Sequence, residues 1–304
     1  MNTVYLSRRE AASHTVPARG LHHHVHLWEP AGPPRGPLLV LLHGWMDVGA
    51  SFQFVVDALA SLEGPVRRIA APDLRGYGGT LCPGADSYWF PDYLGDLDAV
   101  LDALSPDAPV DLVGHSMGGN VVMAYAGVRP QRVRRLVNLE GFGMPRTPVE
   151  NAPRRLAQWL DELKAPQQLR DYASAQEVAQ RLLSNDPLLS ADKAAWLATR
   201  WAREQPDGRW RILGDPAHKR VNPIAYRVDE HLAAWAAIEA PLLWVEGDRT
   251  DIARWWGTRY SKAEFHERLS TVRQVRRETV SPSGHMLHHD QPEAVAALLR
   301  EFLE

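Results

Sequence analysis

The chain has 304 residues, with 34 Lys and Arg against 37 Asp and Glu, a net charge of −3 with neutral histidines, 45% hydrophobic residues, 22 Gly and 23 Pro. Such proportions belong to an ordinary globular protein with a sizeable core, and they exclude collagen-like, low-complexity and disordered chains. Near-balanced charge with no basic block or stripe argues against a nucleic-acid partner and leaves small molecules or proteins.

The N-terminus, MNTVYLSRREAASH, is polar and charged and lacks the apolar run of a secretory signal, so a cytoplasmic location is expected. Residues 20–28 alternate enough for an outer strand, which also accounts for His22, His23, His24 and His26 without a metal. Residues 37–42 (PLLVLL), 66–71, 110–113 and 133–139 read as further strands. Between them, residues 51–61, 91–104 and 120–128 carry apolar residues at three-to-four spacing and read as helices. Strand and helix therefore alternate from residue 37 onward, the pattern of a mostly parallel sheet flanked by helices. The single Cys82 cannot close a disulfide within the chain, so no oxidising compartment is required.

After Gly143 the texture changes. Pro145, Pro148 and Pro153 mark a linker, and residues 154–236 show helical periodicity and no buried strand, with helices expected over 154–163, 175–183 and 191–203. Five of the 11 tryptophans fall in this stretch. Their large rigid rings suit either the packing between helices or the wall of an apolar pocket. Strand texture returns at residues 241–247 (PLLWVEG) and 271–277, and residues 292–303 form an amphipathic closing helix. The apolar runs, such as 37–42 and 121–126, fall far short of the roughly 20 residues that cross a bilayer, so membrane insertion is not expected.

One motif carries chemistry. Gly114-His115-Ser116-Met117-Gly118 follows the apolar strand VDLV and opens directly into the helical run GNVVMAYAGV. This is the strand-turn-helix context of a nucleophile elbow, in which a strained turn lifts the serine hydroxyl above the sheet. Ser116 is the expected nucleophile. Leu41-Leu42-His43-Gly44-Trp45 ends the first buried strand, where the backbone N–H of Trp45, with that of Met117, would form an oxyanion hole. A serine needs a base. His285, in the SPSGH loop between the last strand and the last helix, is the best placed of the 13 histidines, with His288 and His289 as competitors.

These segments, LLHGW (41–45), DLRGYGGT (73–80), VGHSMGGNVVMAYA (113–126), VNLEGFGMP (137–145) and SGHMLHHDQPEAVAALLREFL (283–303), resemble a lid-bearing α/β-hydrolase of the HGW and GHSMGG type. The resemblance implies an α/β-hydrolase fold, a core over residues 1–145 and 237–304, a helical cap over 146–236, and a catalytic order of Ser, acid, His. The acid departs from the family pattern: the usual position in Gly247-Asp248-Arg249-Thr250-Asp251 is Thr250. Asp248 and Asp251 flank it, and Glu140, closing the run LVNLEG, matches an acid position used by some haloalkane dehalogenases. A carboxylate at the end of such an apolar run is costly unless paired, which favours Glu140, with Asp248 and then Asp251 as alternatives.

Dehalogenases and epoxide hydrolases of this fold use an aspartate nucleophile, so Ser116 points to an ester, thioester, lactone or amide and to an acyl-serine intermediate. The expectation is thus a carboxylesterase-like serine hydrolase that needs no metal and no organic cofactor and takes a small-molecule ester with apolar or aromatic parts. Acyl transfer, perhydrolysis, and a non-catalytic ligand-binding protein of the same fold are the competing readings. Oligomeric state is not readable from the sequence.

Overall fold

A computed structural model describes residues 4–64 and 66–304. Its centre is an eight-stranded sheet. The first two strands, β1 (Ala12–Ala18) and β2 (Leu21–Trp28), form an antiparallel hairpin closed by Arg19 and Gly20, both at positive φ. Then follow β3 (Leu39–Leu42), helix α1 (Gln53–Ser61), β4 (Ile69–Pro72), α2 (Phe90–Leu104), β5 (Val110–His115), α3 (Met117–Val128) and β6 (Val133–Leu139). A long excursion carries α4 (Ala152–Lys164), β7 (Asp171–Tyr172), α5 (Ala175–Asn185), α6 (Ala191–Trp201), β8 (Ala202–Glu204), β9 (Trp210–Ile212) and α7 (Val228–Ala236). The chain closes with β10 (Leu242–Gly247), α8 (Ala253–Trp256), α9 (Lys262–Leu269), β11 (Val275–Val280), α10 (Leu287–Asp290) and α11 (Pro292–Leu303).

Strand order is β1-β2-β4-β3-β5-β6-β10-β11, antiparallel in the first two pairings and parallel in the rest. Parallel strands covered on both faces have no polar side, which explains runs such as LVLL. Val40, Leu42, Leu112, Leu136 and Trp244 point into one core layer, with residues of α2 and α3. Their neighbours Leu39, Leu41, Val113, Val137 and Val245 point into the other, with α1 and α11. The α/β-hydrolase class expected from the sequence is the fold observed.

Three expectations are corrected. Strand β1 was not anticipated: it is polar, contains Pro17 and buries only Val16, the profile of a sheet edge. The last strand is Val275–Val280 rather than 271–277, because Thr271 and Val272 still close the end of α9 through bonds to the Arg268 and Leu269 carbonyls. The stretch read as helical with no buried strand also holds a small antiparallel sheet, β7-β9-β8, whose strands of two or three residues are too short to show alternation, and β8 ends the helix expected over 191–203 at Trp201.

The excursion has its own apolar cluster, built from Val178, Leu182, Leu189 and Leu197, into which the main body inserts Phe54. Trp196, Trp201 and Trp210 pack against that cluster, whereas Trp235 belongs to the main core. The Trp201 indole N–H donates to the Met46 carbonyl at 2.6 Å. Tyr77 and Tyr88 sandwich the His218 ring at centroid distances of 3.9 and 3.6 Å. Through these contacts the excursion rests on loops at the carboxyl ends of the parallel strands, where ligands bind in open α/β sheets. Among the described residues no helix is long and apolar enough to cross a membrane.

Candidate active site

Ser116 stands between β5 and α3 with φ 52° and ψ −113°, a strained conformation for a residue with a side chain. The turn closes only because its neighbours are glycines. A Cβ on Gly114 would lie 2.3 Å from the Gly118 carbonyl oxygen, and one on Gly118 would lie 2.3 Å from that of Leu42. The Ser116 N–H is tied to the Leu139 carbonyl at 2.9 Å, which fixes the elbow to the end of β6.

The Ser116 hydroxyl donates to His285 Nε2 at 2.9 Å, and His285 Nδ1–H donates to Glu140 Oε2 at 2.7 Å. Glu140 is 1% exposed and sits at φ 58° just beyond β6. Its other oxygen accepts the Gly247 N–H at 2.7 Å, and its own N–H donates to the Val245 carbonyl at 3.1 Å. The Thr250 hydroxyl, at the position the resemblance reserves for the acid, stands beside Glu140 without closing a hydrogen bond.

The other two carboxylates do different work. Asp248 accepts the Ser281 hydroxyl at 2.7 Å and the Ser283 N–H at 2.8 Å, stapling the loop that leads to His285. Those bonds hold its carboxyl below the ordinary range. Asp251 accepts the Ala253 N–H at 3.0 Å and starts α8. Burial pushes the Glu140 carboxyl up to about 8, opposed by the Gly247 N–H, and the His285 imidazole down to about 4, opposed by Asp290. Both shifts work against separated charges, and at 2.7 Å the two groups titrate as a unit.

The N–H groups of Trp45 and Met117 have no acceptor among the described residues. For Met117 the reason is general, since the first N–H groups of a helix lack intrahelical partners. The Trp45 ring, 53% exposed, stands between two cavities. One, of about 680 Å³, is lined by His285, Trp255, Trp201 and leucines 182, 188, 189 and 197. The other, of about 300 Å³, is lined by Met117, Tyr88, Phe90, Tyr93, His218 and Arg220.

His288 and His289 are buried within α10, and their rings face each other at 4.1 Å rather than reaching Ser116. Sequence reasoning missed the support beneath His285. His115 Nε2–H donates to the His285 carbonyl at 2.8 Å, and Trp255 packs edge-on to the His285 ring at 4.6 Å. Burial pushes His115 down to about 3. Two groups among the described residues have donor atoms close enough to share a cation, Asp47 with His115 and His288, and Asp73 with His24 and His26. The second gathers His24 and His26 of the N-terminal histidine cluster. Asp73 accepts from His24 at 2.8 Å and from the Gly49 and Gly79 N–H groups at 2.8 Å, a hydrogen-bonded brace between β2 and two loops.

Residues 37–292 match the family model described as alpha/beta hydrolase fold. A serine hydrolase-like protein of Danio rerio is 26% identical over 322 aligned positions, covering 99% of this chain and 91% of that protein. Epoxide hydrolase 3 of Siraitia grosvenorii is 36% identical over 136 residues, but these cover only 44% of this chain and 40% of that protein. Among solved structures, the thioesterase domain from the curacin biosynthetic pathway superposes with a TM-score of 0.81 at 27% identity, covering 96% of this chain and 99% of that domain. With its eight-stranded sheet, the chain belongs to the α/β-hydrolase fold family.

Proposed function

We propose that the protein is a serine hydrolase that cleaves a carboxylic ester or thioester through an acyl-serine intermediate. The observation that carries this reading is the unbroken row Ser116–His285–Glu140, with links of 2.9 and 2.7 Å at the carboxyl edge of the sheet. Burial keeps the His285 imidazole neutral at ordinary pH, so its Nε2 lone pair takes the Ser116 proton as Oγ attacks the carbonyl carbon. Negative charge on the former carbonyl oxygen is met by the Trp45 and Met117 N–H groups, a contribution of about 3 kcal/mol per donor. His285 then returns the proton to the leaving oxygen or sulfur, and the alcohol or thiol departs. Water enters, gives a proton to the same nitrogen and attacks the acyl carbon, and breaking the acyl–Oγ bond releases the acid and restores the Ser116 hydroxyl.

Residues 146–236 act in this reading as a cap over the cleft. Its leucines and Trp201 on the wall of the larger cavity favour a substrate with an apolar or aromatic part. No metal or organic cofactor enters these steps. The thioesterase domain at 27% identity and the serine hydrolase-like relative support acyl chemistry on this fold, and a serine at the elbow sets the chain apart from the aspartate chemistry expected of an epoxide hydrolase. The test is covalent labelling by a fluorophosphonate, followed by turnover of benzyl and p-nitrophenyl esters in the parent and in Ser116→Ala. Labelling and turnover should both vanish in the variant. Ester turnover that survives it at more than a few per cent would refute the nucleophile, and labelling without any turnover would mark a binding protein.

A further inference from the structure

The two cavities that meet at Trp45 differ in the group each offers to the reacting centre. His285 lines the larger and not the smaller, whereas Met117 lines the smaller and not the larger. Granted the acyl-serine reading above, this difference assigns the two halves of the substrate. The leaving atom must receive its proton from His285 Nε2, so the leaving group extends into the chamber of about 680 Å³. The acyl group, held through its oxygen at the Trp45 and Met117 N–H groups, extends the other way, into the chamber of about 300 Å³.

Among the described residues the wall of that smaller chamber carries a single charge. No carboxylate lines it there, and His218, pushed down to about 3 by burial between two tyrosines, is neutral. Arg220 is the exception. Its guanidinium donates to the main-chain carbonyls of Glu162 at 3.1 Å, Asp86 at 2.6 Å and, weakly, Ala165 at 3.5 Å. It makes no ion pair among the described residues. Three carbonyls hold the planar group in place, and three of its five N–H donors are then engaged, leaving two with no acceptor among the described residues. The nearby Glu162 carboxylate is taken up by the Val221 N–H at 2.6 Å and Gln158 Nε2 at 2.7 Å and makes no ion pair with Arg220, so this fixed cation on an aromatic wall is a preorganised partner for a carboxylate on the ligand.

We propose that the smaller chamber binds the acyl half of the substrate and that Arg220 recognises an anionic group at its far end, so that the preferred substrates are monoesters of short dicarboxylic acids with a bulky apolar leaving group. Chemically, the product acid released from Ser116 would then be a dicarboxylate.

The test compares benzyl monoesters of glutaric and adipic acid with benzyl pentanoate and hexanoate, following benzyl alcohol release. The parent protein should favour the carboxylate-bearing esters by fivefold or more in kcat/KM. In Arg220→Gln that ratio should fall to one or below, and Arg220→Lys should recover part of it. The ratio is taken within each variant, so a general loss of active protein cancels. If Arg220→Gln fails to fold, the parent alone decides: a preference for the neutral esters overturns the proposal. So does a ratio unchanged in a folded Arg220→Gln. A third arm places the carboxylate on the other half, as the hexanoate of 4-(hydroxymethyl)benzoic acid. If that ester is the one favoured in an Arg220-dependent way, the halves are reversed and the assignment fails. Turnover of benzyl hexanoate, abolished by Ser116→Ala, reports on the underlying hydrolase reading independently of all three arms.

Discussion

Replacing Glu140 with Gln changes one oxygen into an amide NH2 while keeping size and burial. The Gly247 N–H, 2.7 Å from Oε1, requires an acceptor and will hold the amide oxygen on its side. The NH2 then faces His285 Nδ1, which can meet a donor only by giving up its proton and accepting. The imidazole hydrogen moves to Nε2, 2.9 Å from Ser116 Oγ, where it points at the hydroxyl instead of taking its proton. The wrong tautomer in a Ser-His-acid site lowers kcat by about 10⁴, equivalent to ~5.5 kcal/mol of barrier. We therefore expect Glu140→Gln to lose on the order of 10³- to 10⁴-fold in kcat with KM within about threefold, since the carboxyl group does not face either cavity. Asp248→Asn keeps an oxygen for the Ser283 N–H and turns its NH2 toward the Ser281 hydroxyl, which can accept instead, so it should cost less than about tenfold, and Asp251→Asn, at the start of α8, less still. Steady-state kinetics on one good ester, with a thermal melt of each variant, is the assay. A crippled Asp248→Asn beside a Glu140→Gln that keeps a tenth or more of its activity would refute this assignment of the acid.

Because burial pushes His285 down to about 4, the acid limb of kcat/KM should lie at least one unit below the free-histidine value of about 6.5, and a limb at or above 6.5 would contradict the buried geometry. Gly114→Ala places a Cβ 2.3 Å from the Gly118 carbonyl oxygen, so it should destabilise by about 3 kcal/mol or more or fail to fold, and an alanine variant melting within 2 °C of the parent would show that the elbow is looser than drawn. His218 is neutral when folded, with its pKa lowered to about 3, whereas its unfolded imidazole protonates near 6.5. The unfolded chain thus binds more protons below that value, and the stability His218 contributes is present above pH 6.5 and lost as pH falls toward about 3. His218→Phe should therefore gain about 2 kcal/mol relative to the parent between pH 7.5 and pH 5.0, measured by denaturant unfolding, and a constant difference across that range would place the ring in water.

The readable parts of the sequence were those in which one interaction decides. Strands β3, β5, β6 and β10 carry apolar residues on both faces because helices cover both, and that pattern needs no tertiary knowledge. The elbow was readable because steric exclusion forces glycine at Gly114 and Gly118 whatever surrounds them. What escaped depends on distant partners. Strand β1 is held by main-chain pairing to β2, which polar residues and one proline conceal. The strands of the small sheet add two or three residues each to a surface that the whole excursion creates. His115 stands inside the GHSMG motif with no local signal of its role, and its bond to the His285 carbonyl spans 170 positions of sequence. The two chambers are shaped jointly by loops at residues 45, 88, 186 and 220 and by the start of α3 at Met117, and no local pattern marks them.

The ambiguity over the acid has a geometric origin. Strands β6 and β10 are adjacent and parallel, with Leu139 opposite Val245, so the chain leaves both at the same height above the sheet. Glu140 and the loop after Gly247 therefore border one point in space, and they touch directly through the Gly247 N–H on Glu140 Oε1. A carboxylate donated from either strand end would meet the same nitrogen of His285, and either precedes residue 285 and follows residue 116, so the chain order of the three groups does not distinguish them. The distinction lies in burial. Glu140 leaves β6 at positive φ and turns into the interior, where a carboxylate without a donor on each oxygen would be prohibitively costly. Asp248 is exposed and has found two partners of its own, while Thr250 brings to the shared point a hydroxyl small enough to leave the glutamate its place.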